Sequence, residues 1–352
     1  MWAGFVAYLG ALVAAPRLGG RLVWGAIAVL VTGFALAPVL LSHDVYSYVD
    51  YARLGLRHGL DPYVHPPLAA PDDPAYPHVT WTEATSAYGP LFTLLTYPLA
   101  WLPVGAAVAV LKVVAALSVL GIALITSRLA AWRGVDPLRA AAFVALNPLV
   151  LVHVVGAAHN DGLTMLLAML AVAAILSARE LSGGTALVVA LATKLSAAFI
   201  APFALLGSPR PKRTLVGGLA AAFLIAIAAY LAFGWDWLHG FGLAGENQSR
   251  ASHMSIPITV ARLSGLDSDG VRLVAAILFA ALVAYLLAWT WRGGDWIRAA
   301  AWAGFGLLLA TAWLLPWYLI WPLPLVAISR DRSLQFLTLS LTAYQLGARI
   351  PL

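Results

Sequence analysis

The chain has 352 residues, 62% hydrophobic and 10% charged, with a formal net charge of +6 and no cysteine. That balance describes an integral membrane protein rather than a soluble domain, and it excludes disulfides and thiolate metal sites. Its basic residues fall in short loops between apolar runs, which is an orientation signal and not a nucleic-acid footprint.

The apolar runs are continuous rather than alternating, so an all-α polytopic protein is expected and not a closed barrel. Met1 to Ala15 is apolar but lacks the basic flank of a cleavable signal. Arg17 and Arg21 follow and are placed in the cytoplasm, so Leu22 to Leu41 runs outward. Ser42 to Ala87 then forms a long external loop rich in Pro, Tyr and His, and long ordered loops usually carry function. Within it, Asp50, Arg53 and Arg57 follow one another at helical steps, with Val45, Val49, Ala52 and Leu56 opposite. The pattern predicts an amphipathic helix lying along the membrane surface, with Asp50 and Arg53 as a surface ion pair. Asp44 sits outside that row.

Leu91 to Trp101 is too short to span and reads as a dip, which keeps Arg128, Arg133 and Arg139 inside after the span Val104 to Thr126. Ala140 to Val155 returns outward to His159-Asn160-Asp161, and Leu163 to Leu176 goes back in. Gly183 to Leu206 has arginines on both flanks, which one span cannot reconcile. Two short halves hinged near Lys194 can, because broken helices are tolerated where they line a polar cavity. Leu215 to Phe233 leads to a second external loop, Gly234 to Gly270, and Val271 to Trp289 returns. The last segments are expected near Ala299 to Leu314, Trp317 to Ile328 and Leu334 to Leu346. This gives about ten to twelve membrane segments in a single domain over 1–352, with loops 42–87 and 234–270 forming one functional face.

Asp44 admits two roles. It can cap its helix, with His43 as a polar neighbour, or act as a base that takes a proton from an attacking hydroxyl. Only three of the 21 basic residues are lysines, and Lys112 and Lys194 each sit inside an apolar run. Such cations snorkel to the interface or mark a functional path, here a phosphate held at the membrane surface. Arg250 and His253 can add to that site from the second loop or remain solvated. Asp161 can cap a helix, bind a sugar hydroxyl or join His43, Asp44 and His159 around a divalent cation. Nothing in their spacing is diagnostic of a metal site. Tyr88-Gly89-Pro90 and Trp317-Tyr318 through Trp321-Pro322 fit either interfacial anchoring or substrate contact.

Six short stretches, in order, resemble one known family. They are Ser42-His43-Asp44-Val45-Tyr46-Ser47-Tyr48, Gly59-Leu60-Asp61-Pro62-Tyr63, Ala87-Tyr88-Gly89-Pro90-Leu91-Phe92, Ala158-His159-Asn160-Asp161-Gly162, the segment Ala190 to Phe203, and Trp317-Tyr318-Leu319-Ile320-Trp321-Pro322. Together they resemble GT-C glycosyltransferases, and most closely the actinobacterial α-1,6-mannosyltransferases that use polyprenyl-phosphate mannose. The resemblance implies a multi-helix membrane enzyme whose site faces outward. It also implies an inverting reaction from a polyprenyl monophosphate sugar to a glycan or glycolipid acceptor, among membrane lipids and without nucleic acid. Asp44 takes the position of the family's catalytic aspartate, and Lys194, with Lys112 and Arg250, becomes a partner for the donor phosphate. His43, Tyr48, Tyr88, His159, Asp161, His253, Trp317 and Tyr318 become substrate contacts. No cofactor is expected, with a divalent cation left open. A transporter or flippase for a lipid-linked sugar is the competing reading, supported by the broken helix and the intramembrane cations.

Overall fold

The structure, a computed structural model, describes residues 2–246 and 250–348. Residues 247–249 of the second predicted loop, and both extreme ends of the predicted domain, lie outside the described residues. Among the described residues every regular element is helical. The chain opens with α1 (Trp2–Ala14) and α2 (Gly20–Leu36), followed by α3 (Asp44–His58) and the short α4 (Pro90–Thr96). The long α5 (Val104–Trp132) leads to α6 (Pro137–Ala145), α7 (Asp161–Leu176) and α8 (Glu180–Thr193). Next come α9 (Ala201–Gly207), α10 (Pro211–Phe233), α11 (His239–Glu246) and α12 (Ile256–Ser264). The chain closes with α13 (Ser268–Trp291), α14 (Trp296–Ala310), α15 (Leu323–Ile328) and α16 (Arg332–Gly347).

Among the described residues three helices, α5, α10 and α13, are long and apolar enough to cross a membrane, and six shorter apolar helical stretches accompany them. The chain is an all-α membrane protein. α5 is the most enclosed of the three and α13 the least, with only Leu286 and Thr290 of α13 buried. Helices pack closely where small residues let backbones approach, as membrane interfaces require. A Cβ on Gly184 of α8 would overlap the Thr214 carbonyl of α10, and one on Gly217 would overlap the Leu181 carbonyl.

Few carboxylates exist, and several are spent on helix starts. Asp136 accepts the Arg139 N–H at 2.7 Å, Asp295 the Ile297 N–H at 3.0 Å, and Asp331 the Leu334 N–H at 3.0 Å. Asp295 also pairs with Arg133, and Asp331 pairs with Arg298 at 2.8 Å, tying α5, α14 and α16 together.

Several expectations change. α2 stops at Leu36, five residues short of the predicted end, and α5 runs on to Trp132. The second predicted loop holds α11 and α12. The larger correction concerns α3, which does not lie on a surface with one polar face. From Val45 to Leu54 every side except that of Tyr46 is buried, against Phe92, Val108 and Leu111 on one flank and the loop that follows on the other. Asp50 and Arg53 form no surface pair. Arg53 is buried and donates to Asp73 at 2.7 Å and to the Ala100 carbonyl at 3.1 Å, while a carboxylate oxygen of Asp50 is buried without a partner. A charge removed from water must be paired or neutralised, and the loop supplies Asp73 for the arginine.

Candidate active site

Two left-handed, non-glycine residues mark the entries to the site. Leu41 (φ 60°) precedes Asp44, and Ala158 (φ 57°) precedes His159-Asn160-Asp161. Such conformations are costly outside glycine and tend to persist where function holds them. Asp44 is the first residue of α3, with His43 in the cap position, and its side chain makes no capping bond. The carboxylate instead accepts the Trp81 indole N–H at 3.3 Å, and His159 Nδ1 approaches its other oxygen at 3.8 Å. The side chain of Asp44 is 17% exposed. Burial raises its pKa above the ordinary carboxylate range, against the opposing pull of the Lys194 charge and of hydrogen bonds from Trp81 and Ser42.

Lys194 sits where the sequence predicted a hinge. α8 ends at Thr193, Lys194 is extended (φ −161°, ψ 134°), and a tight helical turn over Leu195–Ile200 continues into α9. The break frees the Thr193 carbonyl, which accepts the Gly89 N–H at 3.2 Å. A Cβ on Gly89 would overlap the Ala192 carbonyl, so this close approach requires the glycine of Tyr88-Gly89-Pro90. The Lys194 ammonium donates to Asp161 at 2.7 Å and to the Asn160 side chain at 3.4 Å. Asp161 is fully buried, and its second oxygen accepts the Trp321 indole N–H at 2.7 Å.

Two cavities meet at Asp44. The first, about 330 Å³, is walled by Tyr51, Tyr88, Trp317, Tyr318 and Trp321, and both Lys194 and Arg250 line it. The Arg250 guanidinium lies 5.0 Å from the Trp81 ring and 5.9 Å from the Trp313 ring, bridging two loops across the mouth. The second, about 590 Å³, is lined by His43, Ser252, His253 and Trp317, with no lysine or arginine on its wall among the described residues. Asp44, Trp81, Trp313 and Trp317 belong to both.

The structure therefore brings Asp44, Lys194, Arg250, Tyr88, Trp317 and Tyr318 around one space, and His43 and His253 around its neighbour. Others stand behind the walls. Tyr48 hydrogen-bonds Asn160 and is buried, so it supports the turn before α7 rather than the cavity. His159 stacks on Trp317 with ring centroids 3.8 Å apart, and among the described residues neither of its ring nitrogens has a hydrogen bond. Asp161 neither caps α7 with its side chain nor faces either cavity. Lys112 lines neither cavity: its ammonium donates to the carbonyls of Ala37 and Pro38, which the end of α2 leaves without helical partners. Among the described residues no group of three His, Asp or Glu side chains is placed to hold a metal ion, so His43, Asp44, His159 and Asp161 do not converge as one site. Trp81 and Trp313 were missed by sequence reasoning. A tryptophan isolated in a polar loop was the available signal for Trp81.

Residues 1–208 match the MptA/B family, described as alpha-(1->6)-mannopyranosyltransferase, N-terminal domain. The chain is 30% identical over 334 residues to alpha-(1->6)-mannopyranosyltransferase A of Mycobacterium tuberculosis, covering 83% of this chain and 63% of that protein. It is 32% identical over 181 residues to the protein of the same name from Corynebacterium glutamicum, covering 49% of this chain and 36% of that one. The chain thus spans less than two thirds of the length of either relative. A match over more than half of its residues, on the segment that carries Asp44, Asp161 and Lys194, places the chain in the MptA/B family of alpha-(1->6)-mannopyranosyltransferases.

Proposed function

We propose that this protein is an inverting membrane mannosyltransferase that moves mannose from a polyprenyl monophosphate to a hydroxyl of a glycan or glycolipid, at the outer face of the cell membrane. The observation that carries the proposal is the meeting of two cavities at Asp44, one with cations on its wall and one without. A sugar phosphate belongs in the cationic space, with Lys194 and Arg250 facing the phosphate and the prenyl chain leaving toward lipid. The acceptor belongs in the neutral, aromatic space beside His43 and His253.

In the transfer, the Asp44 carboxylate takes the proton of the acceptor hydroxyl as its oxygen forms a bond to the anomeric carbon. The bond from that carbon to the phosphate oxygen breaks, and the phosphate departs with the electron pair. Lys194 and Arg250 stabilise the charge that grows on it. Attack from the side opposite the departing phosphate inverts the configuration. A raised Asp44 pKa suits the task, since a more basic carboxylate holds the transferred proton better.

Purified protein given synthetic polyprenyl-phosphate mannose and a short mannoside tests the proposal. Product is expected from the wild type, and a loss of about 10²–10⁴-fold in Asp44→Asn. Uptake of the lipid-linked sugar into vesicles without product would instead identify a flippase and overturn the enzyme reading.

A further inference from the structure

At the end of the bundle away from Asp44 lies a third cavity, about 460 Å³, between the turn that joins α5 to α6 and the segment that joins α15 to α16. Ser118 of α5 lies beside Gly162, next to the Lys194 partner, and α5 rises about 21 Å from there to Trp132. The new cavity is therefore remote from the transfer site and stands whether or not the chain transfers a sugar.

Its chemistry is distinct. Arg139, Arg330 and Arg332 line it against one carboxylate, Asp136. Neighbouring acids do not compensate them. Asp331 is taken by Arg298 at 2.8 Å and Trp302 at 2.9 Å, and Asp295 is paired with Arg133. Asp136 directs Oδ1 to the Arg139 backbone N–H. The side chains of Arg139 and Arg332 hold no hydrogen bond or ion pair among the described residues. Arg330 is held in place. Its backbone is left-handed (φ 60°), and its Nε donates to the Arg133 carbonyl while its Nη2 lies over Gly134. A non-glycine residue kept in that conformation to fix a guanidinium at a cavity rim points to a ligand for the guanidinium. Beside the cations are Phe143, Leu339 and Phe336, the last of them 69% exposed on the outer flank of α16.

We propose that this cavity binds the phosphate headgroup of an anionic membrane lipid. The three guanidiniums meet the phosphate, and an acyl chain runs along Phe336 and Leu339. An excess of cations above an apolar, outward-facing wall matches an amphiphile carrying phosphate better than it matches a soluble anion.

The test uses the full chain in phosphatidylcholine nanodiscs titrated with phosphatidylglycerol, with bound lipid counted by native mass spectrometry. The wild type is expected to retain a single phosphatidylglycerol, less firmly as salt rises. Arg139→Gln/Arg332→Gln is expected to weaken retention by about thirtyfold, from roughly 1 kcal/mol per arginine. These two side chains make no bonds, so the double variant keeps the fold, whereas Arg330→Gln also removes a hydrogen bond to Arg133. Arg262→Gln, at an exposed position of α12, is the control and is expected to match the wild type. Equal retention by the wild type and the double variant overturns the site. Inorganic phosphate alone displacing the lipid at low millimolar concentration overturns the lipid assignment in favour of a soluble phosphate.

Discussion

Replacing Lys194 by Met should destabilise the protein more than replacing Asp161 by Asn, although both break the same 2.7 Å pair. The asymmetry follows from exposure, since the Asp161 side chain is fully buried and the Lys194 side chain is 19% exposed at the cavity. Losing the lysine leaves a buried carboxylate with the Trp321 indole N–H as its remaining strong donor, and stranding one member of a buried pair costs about 3–5 kcal/mol. Losing the aspartate's charge leaves an amide that can still accept from Trp321, and an ammonium that can draw on water in the cavity. That loss should be near the cost of one charged hydrogen bond, about 1.5–3 kcal/mol. Unfolding of both variants in the same detergent, followed by helical circular dichroism, measures the difference. Transfer kinetics separate the roles further: Lys194→Met should raise KM for the lipid donor, and Asp161→Asn should leave it nearly unchanged. Equal destabilisation, or a larger loss for Asp161→Asn, would refute the claim that Lys194 neutralises a buried acid while reaching the substrate space.

If Asp44 is the base proposed above, the rate should rise with pH through its raised pKa, with an acid limb above the ordinary value of 3.8. Trp81→Phe removes the indole donor that favours the carboxylate, so the acid limb should move to higher pH in a pH–rate profile; a limb that stays in place or falls would contradict the bond. Asp50 is pushed up to about 7 by burial and by Asp73, so the folded state binds its proton more tightly than the unfolded chain. Stability should then fall as pH rises from about 4 to about 7 and level off above, and Asp50→Asn should flatten that fall in thermal unfolding measured across pH. Gly89→Ala should abolish stable expression or strongly lower the unfolding temperature, because the overlapping atom is a backbone carbonyl at the Lys194 break; wild-type stability would show that the contact relaxes.

The break at Lys194 was legible because arginines flank both ends of an apolar stretch that cannot place them on one side. The short α4 was legible from segment length, and α3 from the helical spacing of charged and apolar residues after Asp44. What escaped was pairing at a distance. Arg53 was assigned to its helical neighbour Asp50, whereas the structure gives it Asp73, twenty residues away on a loop with no periodicity to follow. Lys194 and Asp161 were treated as separate substrate contacts. Each is a lone charge beside apolar sequence, and the rule that buried charges find partners would have joined them. The Trp81–Arg250–Trp313 bridge brings together three segments that sequence spacing does not relate.

Lys112 has a consequence of its own. α2 ends before Pro38, and by holding the carbonyls of Ala37 and Pro38 that this end leaves free, Lys112 fastens the seven-residue bridge from Ala37 to His43 that leads into Asp44. The ammonium works as a tether on the approach ramp, so losing it would let Asp44 drift together with Leu41, Ser42 and His43 on the wall of the second cavity, while Lys194 and the opposite wall stayed in place.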